Sequence, residues 1–290
     1  MSYTGYSLEG KRIAITGSTG DLAEQLCPKL LSDGAELVLL NRSLEKTTIQ
    51  RHHFKVSHPE GNVEFLETDL TNPVSLEKTI QALTEHPVDI LFLAAGVYQT
   101  ERNRTAFGYD CIFTANFLAH YILVKKLLPV LRSRHAKVIA VGSIAYRYSE
   151  TDPQDPDFTN REGCAIPYGN SKRYLMAALS ELLEDEPDIE FVLTHPGVAF
   201  TRMSAHYPAE VYRVLKHPLQ KILAKPEDAV ESLYAAFVKP VPKGFWVGPE
   251  LFDTWGKPTV KPVTGISKAE REQIFQTAEK LFCEYEKNWE

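Results

Sequence analysis

The chain has 290 residues, of which 43% are hydrophobic and 24% charged. That balance excludes a disordered chain and allows one large buried core. A formal net charge of -6 argues against nucleic acid or an anionic membrane as the main partner. The four cysteines (Cys27, Cys111, Cys164, Cys283) show neither metal-ligand spacing nor a disulfide framework. No metal site is therefore expected, and the cysteine usage suits a reducing cytoplasm. No apolar run is read as approaching a membrane span, and the first residues lack the basic-then-apolar pattern of a signal peptide.

In chain order, Arg12–Thr16 is a short apolar strand ending in the glycine turn Gly17-Ser-Thr-Gly20. Leu22, Leu26, Leu30 and Leu31 then recur at helical spacing, with Pro28 inside the helix and Gly34 closing it. Glu36–Asn41 is a second buried strand, followed by a helix from Leu44 to Val56. Val63–Glu67 is a third strand running to Asp69, and Thr71 or Asn72 caps a helix that has Pro73 at its first position. Asp89–Gly96 is a fourth strand ending in Ala94, Ala95 and Gly96. A long apolar helix spans Tyr109 to about Arg134, and a fifth strand spans Lys137–Ser143. Residues 152–163 form a polar surface insertion before a helix from Pro167 to Asp185. Glu190–Gly197 is a sixth strand with a turn, and 201–224 is an irregular insertion. Asp228–Phe237 is helical and Gly244–Gly248 is a last strand. Ser267 with Glu270 three residues on opens a terminal helix with a capping-box pattern.

Strands alternate with helices, and several strands are apolar on both faces. This predicts an α/β fold: a doubly wound, Rossmann-type parallel sheet of about seven strands with helices on both faces. It is read as a single domain over 1–290, with a lid insertion at 198–224 and a C-terminal helical tail at 256–290. Ligands of such sheets bind beyond the carboxyl ends of the strands, where Gly17, Arg42, Asp69, Gly96, Ser143 and Pro196 all fall.

The glycine turn after the first strand favours a dinucleotide, because glycines admit a pyrophosphate to a helix N-terminus. Asp21 would repel a phosphate there and is expected to point outward. After the second strand stand Asn41 and Arg42 rather than an acidic residue. Arginine matches a ribose 2′-phosphate, so NADP(H) is expected over NAD(H). Asp69 either reads an adenine amino group or caps the next helix. Tyr168 and Lys172 stand four residues apart, on one helical face. A cation beside a phenol lowers the phenol pKa and makes it a usable general acid or base. Ser143 is expected to face the same crevice.

These pieces together resemble the short-chain dehydrogenase/reductase (SDR) family over about residues 8–250. The matching parts are the Thr16-Gly17 turn, Asp69, Leu93-Ala-Ala-Gly96, Asn116, Ser143, Tyr168 with Lys172, and Pro196-Gly197. The sequence Asn116-Phe-Leu-Ala-His and the long gap between Ser143 and Tyr168 are similar to the branch of retinol dehydrogenases and carbonyl reductases. Two departures stand out. The usual turn of that branch has glycines where this chain has Asp21 and Ala23, and a usual asparagine is Leu93 here.

The resemblance implies hydride transfer between a nicotinamide and a carbonyl or alcohol substrate. The apolar and aromatic residues Tyr98, Ile144, Tyr146, Tyr148, Met203, Tyr207, Val211, Tyr212 and Leu215 suggest a hydrophobic one. Tyr168 would exchange the proton, Lys172 would lower its pKa and hold the ribose, Ser143 would bond the substrate oxygen, and Asn116 would hold a relay water. Cofactor contacts are expected from Gly17, Ser18, Thr19, Gly20, Leu22, Asn41, Arg42, Asp69, Leu70, Ala94, Ala95, Gly96, Tyr168, Lys172, Pro196 and Val198. His195 is expected to be structural. The family also implies homo-oligomers built through the long helices, although the tail after Trp255 is equally compatible with a monomer. Two other readings stand beside this one: an NADP(H)-binding sensor without turnover, and an epimerase or dehydratase of the extended branch, whose turn has the Gly17-x-x-Gly20 spacing.

Overall fold

A computed structural model describes residues 6–98, 102–197 and 226–289. The elements are β1 (Arg12–Thr16), α1 (Asp21–Ser32), β2 (Glu36–Asn41), α2 (Leu44–Ser57), β3 (Val63–Glu67), α3 (Pro73–Glu85) and β4 (Ile90–Leu93). They continue with α4 (Cys111–Ser133), β5 (Lys137–Val141), α5 (Ala165–Leu182), β6 (Glu190–Thr194), α6 (Pro226–Val238), β7 (Phe245–Leu251), β8 (Trp255–Pro262) and α7 (Lys268–Trp289). The strands form one eight-stranded sheet in the order β3-β2-β1-β4-β5-β6-β7-β8. Strands β1 to β7 are mutually parallel, and β8 joins β7 antiparallel.

The alternation of side chains along each strand explains why both faces are covered. Ala14, Val38, Leu40, Leu91, Leu93, Val138 and Ala140 pack in one core with α3, α4, α5 and α7. Their neighbours Ile13, Ile15, Leu37, Leu39, Ile90, Phe92 and Ile139 pack in the other with α1 and α6. Order reverses between β2 and β4 on either side of β1, which opens a crevice at the carboxyl edge of the sheet.

Three features differ from expectation. The tail begins as a strand, β8, where a helical segment from residue 256 was expected, so the sheet has eight strands rather than about seven. Pro258 and Pro262 do not stop it from being a strand: an edge strand tolerates them because one side of its backbone needs no ladder partner. Helix α4 is 23 residues long and holds an 18-residue window with a mean hydropathy of 1.3, long and apolar enough to cross a membrane. It is instead the core helix of the fold, with 89% of that apolar window buried. Finally, α4 widens over Thr114–Leu118, where Ala119 N–H bonds to the Thr114 carbonyl five residues back. Helix α1 runs continuously through Pro28.

Candidate active site

The carboxyl edge of the sheet encloses a cavity of about 980 Å³. At one end lies the glycine turn. Gly17 has φ +67, and a Cβ there would sit 2.8 Å from the Ala95 Cα. The turn therefore lies directly against the loop after β4. Gly17→Ala should cost about 1–2 kcal/mol from the left-handed backbone alone, with the collision added. Urea denaturation and NADPH titration are expected to show lower stability and weaker binding.

Thr16 locks the two segments together. Its Oγ1 accepts hydrogen bonds from Ala94 N–H at 3.0 Å and Ala95 N–H at 3.1 Å. The hydroxyl proton is thus left for His120 Nε2, 3.0 Å away. His120 Nδ1–H then donates to the Asn116 carbonyl at 3.2 Å. This assigns a neutral ring with one tautomer, and burial pushes the His120 pKa down to about 4.

Gly17, Thr19, Gly20, Leu22 and Arg42 line the cavity, as do Asp69, Leu70, Ala94, Ala95 and Gly96. Ser18 and Asn41 do not, contrary to expectation. Both are buried, and Ser18 Oγ donates to Asn41 Oδ1 at 2.7 Å. Gln50 completes the set by donating to the Ser18 carbonyl at 2.9 Å and accepting from Asn41 Nδ2 at 3.1 Å. These side chains brace the turn from behind. Ser43 and Lys46 beside Arg42 line the cavity instead, and the sequence reading missed them. Their position at the start of α2, Ser43 as its N-cap and Lys46 in its first turn, next to Arg42, was the available signal. Asp21, at the start of α1, is also among the residues that line the cavity. Asn72 caps α3 through Val74 N–H and Ser75 N–H, which leaves Asp69 to line the cavity with its Oδ1 held by Thr71.

At the other end are Ser143, Tyr168 and Lys172. Ser143 follows β5 and caps a short 3₁₀ segment, Ile144–Tyr148, by accepting from Ala145 N–H at 3.2 Å. Its own hydroxyl proton is not used in that bond. Tyr168 and Lys172 stand on α5, with Lys172 Nζ 5.9 Å from the Tyr168 ring centre. Lys172 Nζ donates to the Val141 carbonyl at 2.8 Å. Burial lowers its pKa to about 8, so it is mostly a cation at neutral pH. Gly169 allows α5 to touch the Ser143 segment, since a Cβ there would meet the Ala145 carbonyl oxygen at 2.6 Å. Tyr98 packs edge-to-face on Tyr168 with ring centres 5.1 Å apart.

Asn116 is buried and does not line the cavity. Its amide accepts from Val97 N–H at 2.7 Å and donates to the Val97 carbonyl and to Ser171 Oγ at 2.9 and 3.0 Å. Ser171 in turn donates to the Tyr168 carbonyl at 2.7 Å. The side chain expected to hold a water thus ties the loop after β4 to the helix carrying Tyr168.

Pro196 lines the cavity. His195 does so as well, while also being structural: it stacks on Trp246 and donates from Nε2 to the Asp253 carbonyl at 2.8 Å. Of the expected substrate wall, Tyr98, Ile144 and Tyr148 line the cavity. Tyr146 is buried away from it, with its hydroxyl bonded to the Thr264 carbonyl at 2.5 Å. Val198 and the lid 198–224, including Met203, Tyr207, Val211, Tyr212 and Leu215, lie outside the described residues.

A dinucleotide fits this arrangement. The turn backbone and the start of α1 open on one end of the cavity, Arg42, Ser43 and Lys46 add positive charge and a hydroxyl, and the tyrosine, lysine and serine converge at the other end.

The comparisons agree with this geometry. A family model described as short chain dehydrogenase matches residues 11–155, and the chain belongs to that family of oxidoreductases. An uncharacterised oxidoreductase of Schizosaccharomyces pombe is 30% identical over 249 residues, spanning 79% of this chain and 73% of the relative. Mouse retinol dehydrogenase 14 is 25% identical over 214 residues, 69% of this chain, and the match spans 64% of that relative's length. Likeness to such relatives places the chain near the retinol dehydrogenase branch. A short-chain dehydrogenase from Sphingobium yanoikuyae, solved in complex with NADPH, shares the fold at 21% identity with a TM-score of 0.59, over 78% of this chain and 84% of that one.

Proposed function

We propose that the chain is an NADP(H)-dependent oxidoreductase that interconverts a hydrophobic carbonyl compound and its alcohol, with Tyr168 as general acid and base. The observation that supports this best is the convergence of Ser143, Tyr168 and Lys172 on the cavity whose far end carries the Gly17 turn and Arg42. When bound, the dinucleotide supplies or takes the hydride. Ser143 Oγ–H donates to the substrate oxygen and stabilises the charge developing on it. Tyr168 Oη gives its proton to that oxygen in reduction and takes it back in oxidation. Lys172, a cation held by the Val141 carbonyl, favours the phenolate form. The walls formed by Tyr98, Ile144, Tyr148 and Ile166 favour an apolar substrate.

The preference for NADP(H) rests on Arg42, Ser43 and Lys46. A charged hydrogen bond to phosphate is worth about 1.5–3 kcal/mol, or roughly 10- to 100-fold in binding. Arg42→Ala and Lys46→Ala are therefore expected to raise the KM for NADPH by about that much and to leave the KM for NADH nearly unchanged. An equal effect on both cofactors would refute the assignment.

Asp21 favours a second reading, a sensor that binds the dinucleotide without turnover, because a carboxylate at this helix N-terminus weakens phosphate binding. NADPH oxidation measured against a panel of aldehydes, ketones and quinones separates the two, since a sensor binds NADPH but consumes none. The four free cysteines fit the cytoplasm as its compartment.

A further inference from the structure

Arg173 follows Lys172 directly on α5, and its side chain enters a junction on the far side of the catalytic turn. It is buried, with the side chain 9% exposed. Four of its five N–H groups are used. Nε and Nη2 donate to the two carboxylate oxygens of Glu270 at 2.5 and 2.7 Å. Nη1 donates to the Tyr146 carbonyl at 2.8 Å, and Nη2 also reaches the Gly265 carbonyl at 2.8 Å. Tyr146 belongs to the 3₁₀ segment that starts at Ser143, and Gly265 and Glu270 belong to the tail.

One guanidinium therefore joins three segments: the helix bearing Tyr168 and Lys172, the segment led by Ser143, and the tail. The Tyr146 hydroxyl ties the segment led by Ser143 to the tail a second time, through the Thr264 carbonyl. Ser267 caps α7 at Glu270 N–H, but the Glu270 carboxylate goes to Arg173 instead of closing the capping box. The tail is held elsewhere too, by Lys125 with Glu279 at 2.6 Å and by Tyr109 with Glu284 at 2.6 Å. Among the described residues only the Arg173 junction reaches both catalytic segments, and only a planar fork of donors can serve all these acceptors at once.

We propose that Arg173 and Glu270 are positioning residues through which the C-terminal tail sets the approach of Ser143 to Tyr168. This rests on the reading of Ser143, Tyr168 and Lys172 as the catalytic set. A purely stabilising ion pair would lower the melting temperature and leave turnover unchanged below it. A positioning pair changes kcat, because a misplacement of about 1 Å at reacting groups can cost about 100-fold.

The test uses full-length Arg173→Lys and Glu270→Gln and the charge-exchanged double variant R173E/E270R. NADPH oxidation is measured with whichever aromatic ketone or aldehyde the unmodified protein turns over, well below each variant's melting temperature. Both single variants are expected to lose about 10- to 100-fold in kcat, with the KM for NADPH within twofold. The double variant should regain part of that loss. Hydrogen exchange of the amides at 144–148, measured without cofactor or substrate, should speed up at least about tenfold in both single variants, as a loosened segment opens more readily. A kcat within twofold of the unmodified protein, or unchanged exchange at 144–148, in either folded variant would overturn the proposal. Tyr168→Phe run alongside separates the two levels. If it keeps full activity, the catalytic reading fails. If it is inactive while the Arg173 and Glu270 variants behave normally, only the tail's role fails.

Discussion

Replacing Tyr168 by phenylalanine is expected to lower turnover by about 10²–10⁴-fold, the usual contribution of a positioned general acid. NADPH binding should change little. The substitution removes one hydroxyl and keeps the ring, so the edge-to-face contact with Tyr98 survives. Lys172 should stay in place, because its hydrogen bond runs to the Val141 carbonyl. Ser143 keeps its place at the head of the 3₁₀ segment, since it is held by its own cap and by the strand before it. Single-turnover oxidation of bound NADPH, with fluorescence titration of NADPH in parallel, measures the chemical step apart from binding. Full activity in the variant would rule out Tyr168 as the proton donor. A matched loss of binding would mean that the ring position, not the proton, had changed.

The sheet was legible in the sequence because each parallel strand is a short apolar run ended by a small or polar residue: Gly17, Asn41, Gly96 and Ser143 mark the carboxyl edge. The residues that line the cavity from those ends were legible for the same reason, since the residue just past each strand's last one borders the crevice, as Gly17, Arg42 and Ala94 do. What escaped was decided by contacts distant in sequence. Ser18 and Asn41 look like ligand-binding residues at a turn, yet Gln50 in α2 claims them. Asn116 looks like a free amide, yet Val97 and Ser171 saturate it. Glu270 looks like half of a local cap, yet Arg173, almost a hundred residues earlier, takes its carboxylate. Strand β8 was missed because its prolines contradict strand propensity, which an edge position excuses.

The second large effect is on stability in acid. His120 and His195 are both buried and neutral, with pKa values pushed down by burial from 6.5 to about 4. In the unfolded chain each regains a value near 6.5. Between these two values the unfolded state binds more protons than the folded state, so stability must fall as pH falls. The contribution of neutral burial is complete above about pH 6.5 and is lost progressively on the way down to pH 4. Each histidine accounts for about 3 kcal/mol over that window, so the pair removes about 6 kcal/mol, comparable to the whole stability of many domains. Lys172 does not add to this slope. Its pKa, lowered from 10.5 to about 8, makes its burial cost constant below pH 8 and relieves that cost only above it. Asp253 and Glu186, whose carboxyl pKa values are lowered, lose their partners' support only as pH falls below their ordinary carboxylate range. Urea titrations at pH 7.0 and 4.5 are thus expected to show a loss of several kcal/mol. His120→Gln retains a donor and an acceptor for the Asn116 carbonyl and Thr16. It should be less stable than the unmodified protein at pH 7 yet show about half the loss on acidification. An undiminished loss in that variant would move the acid sensitivity elsewhere in the fold.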